Sequence, residues 1–161
     1  MEFHCQPSTL RGEVKIPGSK SHTIRAVCIA AMASGESRIL EPLTSADTLA
    51  AVEAARVLGA TVEMREREWR IRGFGGCPRV ASGRIDVMNS GTTMQVVLAM
   101  AALNQGGELV LTGDEQIRRR PVGPLVQALR SLGADISEEL DNGCPPVRVR
   151  GGLTGGRCSI E

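Results

Sequence analysis

The chain has 161 residues, enough for one domain or two small ones with a sizeable core, and 42% of them are hydrophobic. Aromatic residues make up only 2%, which excludes the base-stacking platforms of single-strand nucleic-acid binders and leaves a core of Ala, Val, Leu, Ile and Met. A net charge of +1 implies no bulk electrostatic partner, so any anion site must come from local placement of cations.

The cysteines, Cys5, Cys28, Cys77, Cys144 and Cys158, are odd in number and include no C-x-x-C pair. With only His4 and His22 beside them, neither a metal site nor a disulfide framework is expected, and a reducing cytoplasm is the expected compartment. No apolar run reaches the length of a membrane span, and the opening MEFHCQPSTL carries no secretory signal pattern.

The first predicted helix covers Ser21 to Met32. Ile24, Ala26, Val27, Cys28, Ile29, Ala30 and Ala31 surround it, the composition of a helix buried on every side. Its start is polar: Gly18 permits a tight turn, Lys20 and Arg25 add charge, and Ser21 adds a hydroxyl. Backbone N–H groups at a helix N-terminus favour phosphate or carboxylate, so this start reads as an anion site. A second helix follows, with Leu49, Val52, Ala55 and Leu58 on one face, Asp47 as its expected N-cap and Gly59 as its stop. VEMREREWRIRG, Val62 to Gly73, alternates and reads as a hairpin.

GRIDVM, from Gly83, reads as a strand leading into NSGTTM, Asn89 to Met94, the small hydroxyl-rich start of a third, apolar helix. Gly91, Thr92 and Thr93 offer backbone and hydroxyl donors there with no bulk in the way. In TGDEQIRRRPVGPLV, Pro121 suits the first turn of a helix and holds Arg120 extended before it. Arg120 can then present its planar fork to a carboxylate or phosphate. Arg118 and Arg119 are expected in solvent, with Asp114 and Glu115 as available ion partners. Val122, Leu125, Val126, Leu129 and Leu132 mark the apolar face of a fourth helix, stopped by Gly133.

These elements form a repeat. Ser21 to Leu40 aligns without gaps on Gly91 to Val110, an offset of 70, and Thr48 to Val62 aligns on Val122 to Ile136, an offset of 74. Each copy closes on a similar word, RIRG at Arg70 and RVRG at Arg148. The predicted unit is strand, buried helix, strand, amphipathic helix and two-stranded hairpin, an α/β arrangement of two βαβαββ units. GRCSIE, from Gly156, matches the opening of the second unit and reads as the start of a third.

Three motifs, PGSKSHTIRA, NSGTTM and TGDEQIRRRPVGPLVQALRSLGA, occur in that order and resemble the 5-enolpyruvylshikimate-3-phosphate synthases, or 3-phosphoshikimate 1-carboxyvinyltransferases, over essentially the whole chain. The sibling UDP-N-acetylglucosamine 1-carboxyvinyltransferases share the fold. They carry Lys-Asn where this chain has Lys20-Ser21, and a cysteine where it has Glu115. The resemblance implies a two-lobed enzyme with three βαβαββ units per lobe. On that plan residues 1–16 are strands packing with the other lobe, 17–82 and 83–156 are the first two units, and 157–161 open a third.

The resemblance also implies roles. Lys20, Ser21 and Arg25 would bind shikimate 3-phosphate. Lys20, Asn89, Gly91, Thr92 and Arg120 would bind phosphoenolpyruvate, with Lys20 as the catalytic residue. The implied reaction moves the enolpyruvyl group to the 5-hydroxyl of shikimate 3-phosphate, in the shikimate pathway to chorismate and the aromatic amino acids, with no metal or organic cofactor. The implied partners are these two small molecules and the remainder of the polypeptide, with no nucleic acid and no membrane. Two departures stand out: Gln95 and Val96 replace the Arg, and the Pro or Leu, that the family usually has after the residue matching Met94. A changed affinity for phosphoenolpyruvate or glyphosate is expected from them. Because the family's SSQ stretch and the acidic residues of its other lobe have no match here, the 161-residue chain is expected to be inactive alone. The alternatives at this stage are a non-catalytic module binding small phosphorylated ligands, a structural two-unit domain, and the sibling enzyme.

Overall fold

The computed structural model describes residues 2–9 and 11–160. The first half runs α1 (Lys20–Met32), β1 (Glu36–Leu40), α2 (Ala46–Val57), β2 (Thr61–Met64) and β3 (Glu68–Arg72). The second runs β4 (Ser82–Asp86), α3 (Gly91–Ala101), β5 (Glu108–Thr112), a 3-10 turn (Ile117–Arg119), α4 (Gly123–Ser131), β6 (Ile136–Glu138) and β7 (Val147–Val149). Helices α1, α2 and α3 pack against one another, and the strands wrap this apolar centre.

The repeat is visible in the strand order. The first sheet is β1-β3-β2, wholly antiparallel, and the second is β4-β5-β7-β6, in which β5-β7-β6 reproduces the first and β4 adds a parallel strand beside β5. Thr23 and Thr93, Ile24 and Met94, Val27 and Val97, and Cys28 and Leu98 are buried in pairs, as an offset of 70 requires. The caps are one position out of that frame. Ser19 caps α1 and Ser90 caps α3, so α1 starts one residue earlier relative to its buried face and its first turn is longer at Lys20. Helices α2 and α4 end as their glycines predict. Gly59 and Gly133 lie at φ +106 and +99, and in each case the next residue donates its N–H back to the carbonyl of Ala55 or Leu129.

Several expectations need correction. Helix α1 is not buried on every side: Arg25 is exposed, and Ile29, one turn further along the same face, is 70% exposed. Packing against α2, α3 and the first sheet covers only part of its circumference. The cap of α2 is Ser45, not Asp47; its hydroxyl accepts from the Thr48 N–H, and the Thr48 hydroxyl accepts from the Ser45 N–H in return. That leaves the Asp47 carboxylate free to act elsewhere. The strands expected in 1–16 and at 157–161 are not formed among the described residues, and Met1, Leu10 and Glu161 lie outside them. Val14 and Ile16 are 81% and 76% exposed: no strand lies beside β1 in the place that β4 holds beside β5, so they have no ladder to join.

The outer faces of both sheets carry charge networks. In the first, the Glu68 carboxylate accepts from Arg38 on β1 and, at 2.6 Å, from Arg70 on its own strand. Hydrogen bonds from these two guanidinium groups hold Glu68 down to a pKa of about 2. In the second, Glu108 on β5 faces Arg148 on β7 and Arg150 just beyond that strand, and its pKa is lowered in the same way. A carboxylate with a depressed folded-state pKa contributes stability above its ordinary pKa, and that contribution is lost as pH falls toward the folded value. Glu68→Gln is therefore expected to lower the thermal midpoint at neutral pH. The gap from wild type should close between the ordinary value of 4.5 and about 2, as thermal melts across that range will check.

Candidate functional site

The N-terminal turns of α1, α2 and α3, and the segment leading into α4, border one cavity of about 530 Å³. Its wall includes Lys20 from α1, Asp47 from α2, Asn89, Gly91 and Thr92 around the start of α3, and Arg120 before α4. Residues a hundred positions apart in sequence thus meet because the repeated helices run side by side with their N-termini at the same end.

Each wall has a local cause. Ser19 accepts from the His22 N–H and Ser90 from the Thr93 N–H, so the first-turn N–H groups of Gly91 and Thr92 have no acceptor among the described residues. Gly91 is in close contact with Arg120: a side-chain carbon there would sit 2.8 Å from Arg120 Nη1. Arg120 is delivered by the 3-10 turn, its own N–H donating to the Ile117 carbonyl at 3.0 Å. Its Nη2 lies 3.4 Å from Asn89 Oδ1, and it makes no ion pair among the described residues. Lys20 Nζ pairs with Asp47 Oδ2 at 2.7 Å, with the Lys side chain 53% and the Asp side chain 20% exposed. The cavity therefore holds one neutralised cation, one free guanidinium and a row of open N–H donors, an arrangement complementary to a small anion bearing a phosphate.

Of the residues singled out by sequence, Lys20, Asn89, Gly91, Thr92 and Arg120 are brought together here. Ser21 and Arg25 are not on this wall. They stand four residues apart on one face of α1, Ser21 half-buried and Arg25 exposed. Arg119 pairs with Glu115, whereas Arg118 Nε donates to the Gly113 carbonyl at 3.0 Å and Asp114 makes no ion pair with either. Sequence reasoning missed Asp47 as a member of the site. The repeat contained the signal: the 74-residue offset sets Asp47 on Pro121, which lines the same cavity. Gln95, noted only as a departure, also lines it.

Comparison with known proteins covers nearly the whole chain. Residues 5–161 match the family model of EPSP synthase (3-phosphoshikimate 1-carboxyvinyltransferase). The chain is 49% identical over 161 residues to the 3-phosphoshikimate 1-carboxyvinyltransferase of Acetivibrio thermocellus and 45% identical to that of Methanosarcina acetivorans. It spans 100% of its own length in both matches but only 38% and 37% of theirs. Among solved structures, EPSP synthase from Acinetobacter baumannii superposes with a TM-score of 0.77 at 32% identity, covering 88% of this chain and 32% of that one. The enolpyruvyl transferase NikO from Streptomyces tendae, at 15% identity and a TM-score of 0.58 over 89% of this chain and 32% of its own, shares the fold.

Proposed function

The chain belongs to the EPSP synthase family, and on that premise we propose that it carries part of the substrate site of a 3-phosphoshikimate 1-carboxyvinyltransferase. Arg120 and the open N–H groups of Gly91 and Thr92 bind the phosphate of phosphoenolpyruvate. Ser21 and Arg25 bind shikimate 3-phosphate, and Lys20 stands between the two substrates. The 5-hydroxyl gives up its proton as its oxygen adds to C2 of phosphoenolpyruvate, while the methylene carbon takes a proton and becomes a methyl group. Loss of a proton from that carbon then expels inorganic phosphate. Lys20 is the proposed polarising or protonating group, and two anionic substrates are held close by fixed cations and helix N-termini. No metal or organic cofactor enters this scheme.

The observation that carries the reading is the meeting of Lys20, Gly91, Thr92 and Arg120 on one cavity. Because the chain spans 38% of the Acetivibrio thermocellus relative, the rest of the site is proposed to come from further polypeptide. An apolar groove of about 690 Å³, lined among others by Met32, Val96, Ala99, Leu103, Leu125 and Leu129, is the proposed seat of a third unit. It lies on α3 and α4, and the repeat that sets α3 against α1 would set another helix against α3. The cytoplasm is the proposed location; no helix among the described residues is long and apolar enough to cross a membrane.

Nuclear magnetic resonance titration of the 161-residue chain tests the proposal. Phosphoenolpyruvate is expected to shift the Gly91 and Thr92 amides, shikimate 3-phosphate those of Ser21 and Arg25, and the mixture to release no phosphate. Silent amides at millimolar concentrations of both compounds would remove the assignment.

A further inference from the structure

We propose that Asp114 is a positioning residue: through Asn89 it sets the orientation of the Arg120 guanidinium, and Asn89 itself serves Arg120 rather than the ligand. The ligand named below rests on the function proposed above; the positioning role does not.

Asp114 joins the loop after β4 to the turn that delivers Arg120. Its N–H donates to the Met88 carbonyl at 2.8 Å, and its own carbonyl accepts from the Arg118 N–H at 3.0 Å. Met88 is held in the left-handed region at φ 54, with its N–H on Asp86 Oδ1 at 2.8 Å, which presents Asn89 to Asp114. The two carboxylate oxygens have separate tasks. Oδ1 accepts from the Ile117 N–H at 2.9 Å and Oδ2 accepts from Asn89 Nδ2 at 2.7 Å.

An ionised carboxylate only accepts, so the group of Asn89 that faces it must be the NH₂. Gln116 Oε1 takes the second N–H of that same nitrogen at 3.0 Å. Both Asn89 donors are then engaged, and the oxygen is the part left facing Arg120 Nη2 at 3.4 Å. A carbonyl oxygen repels a phosphate and attracts a guanidinium. The amide therefore aligns Arg120 beside Gly91 and leaves the other edge of its fork for the anion.

Asp114→Asn tests this by inverting polarity without changing shape. The retained oxygen still caps the Ile117 N–H, but an NH₂ now opposes the Asn89 NH₂. The Asn89 amide must turn, placing its donors against the guanidinium. The double variant Asn89→Asp/Asp114→Asn restores a donor opposite an acceptor and an acceptor opposite Arg120. The expected result is a displaced and narrowed Arg120 Nε–Hε resonance in Asp114→Asn, with recovery of the wild-type position in the double variant. Affinity for inorganic phosphate and phosphoenolpyruvate is expected to fall about tenfold in Asp114→Asn, the loss of one misaligned charged contact. In wild type, the Asn89 side-chain NH₂ protons should exchange with solvent more slowly than those of exposed Asn142, a measurement that needs no variant. An unchanged Arg120 resonance in Asp114→Asn, no recovery in the double variant, or equally fast exchange at Asn89 and Asn142 would overturn the proposal. The resonance and exchange measurements contain no ligand, so a wild-type chain that binds neither anion would sink the functional reading while leaving this one decided.

Discussion

Replacing Arg120 by alanine is expected to weaken phosphoenolpyruvate binding about 10- to 100-fold and to leave the thermal midpoint nearly unchanged. The magnitude follows from hydrogen bonds to a charged group, worth about 1.5–3 kcal/mol, with each 1.4 kcal/mol equal to a factor of ten. The neutral effect on stability follows from the surroundings. Arg120 is exposed, has no ion partner among the described residues, and touches Asn89 only at 3.4 Å, so its removal leaves no buried charge behind. Lys20→Ala contrasts with it. That change leaves the Asp47 carboxylate, 20% exposed, without its 2.7 Å partner, so it should lower the thermal midpoint as well as the affinity. Calorimetric titration of the two variants beside differential scanning separates the cases. Unaltered phosphoenolpyruvate affinity in Arg120→Ala would mean that the guanidinium does not meet the anion.

Gly73→Ala and Gly151→Ala are each expected to cost about 3 kcal/mol or more, enough to threaten folding. Both glycines follow the last hairpin strand of their unit, where the chain crosses the end of the buried helix. A side-chain carbon on Gly73 would lie 2.2, 2.5 and 2.7 Å from the carbonyl oxygens of Ala33, Ala30 and Ala31, and one on Gly151 would lie 1.9 Å from the carbonyl oxygen of Asn104. These obstacles are backbone, so no rotamer change relieves them. The crossing also supplies donors to helix-end carbonyls that lack partners within the helix. Phe74 and Gly76 donate to Ala31 and Met32 at 2.8 and 2.7 Å, and Leu153 donates to Ala102 at 3.4 Å. Moving the strand away to make room would forfeit those bonds. Gly35→Ala is the control: it has φ +91 but nothing within 4 Å, so only the left-handed strain of about 1 kcal/mol applies. Chemical denaturation ranks the three variants, and equal costs would show that the crossing is not the tight point.

Much of the architecture was readable from local pattern. The hairpin from Val62 to Gly73 forms β2 and β3 with Val62 opposite Ile71 and Met64 opposite Trp69. The helix stops at Gly59 and Gly133 are in place. The repeat predicted from similar words appears in the matching orders β1-β3-β2 and β5-β7-β6, while β4 has no counterpart in the first sheet. Other features were not readable in this way. Asp47 looked like a cap because a capping residue is recognised by its place before an apolar run, and Ser45 two positions earlier satisfies the same rule. Ile29 looked buried because composition alone does not say how much of a helix its neighbours cover. Residues 1–16 were expected as strands only through the family resemblance, packing with another lobe; among the described residues they form none, since a strand exists only against a partner.

The amino-acid sequence by itself determined the periodic elements and their stops, the placing of Lys20 and Gly91 at helix starts and of Arg120 shortly before one, because each depends on dihedral preference and side-chain spacing within a few residues, and it showed the duplication through similar words repeated along the chain. Only the tertiary structure decided that these starts share a cavity, that Asp47 takes Lys20 while Arg120 stays unpaired, and that Asn89 turns its oxygen toward the guanidinium. Those outcomes depend on groups far apart in the chain, whose distances are settled by which buried face packs against which.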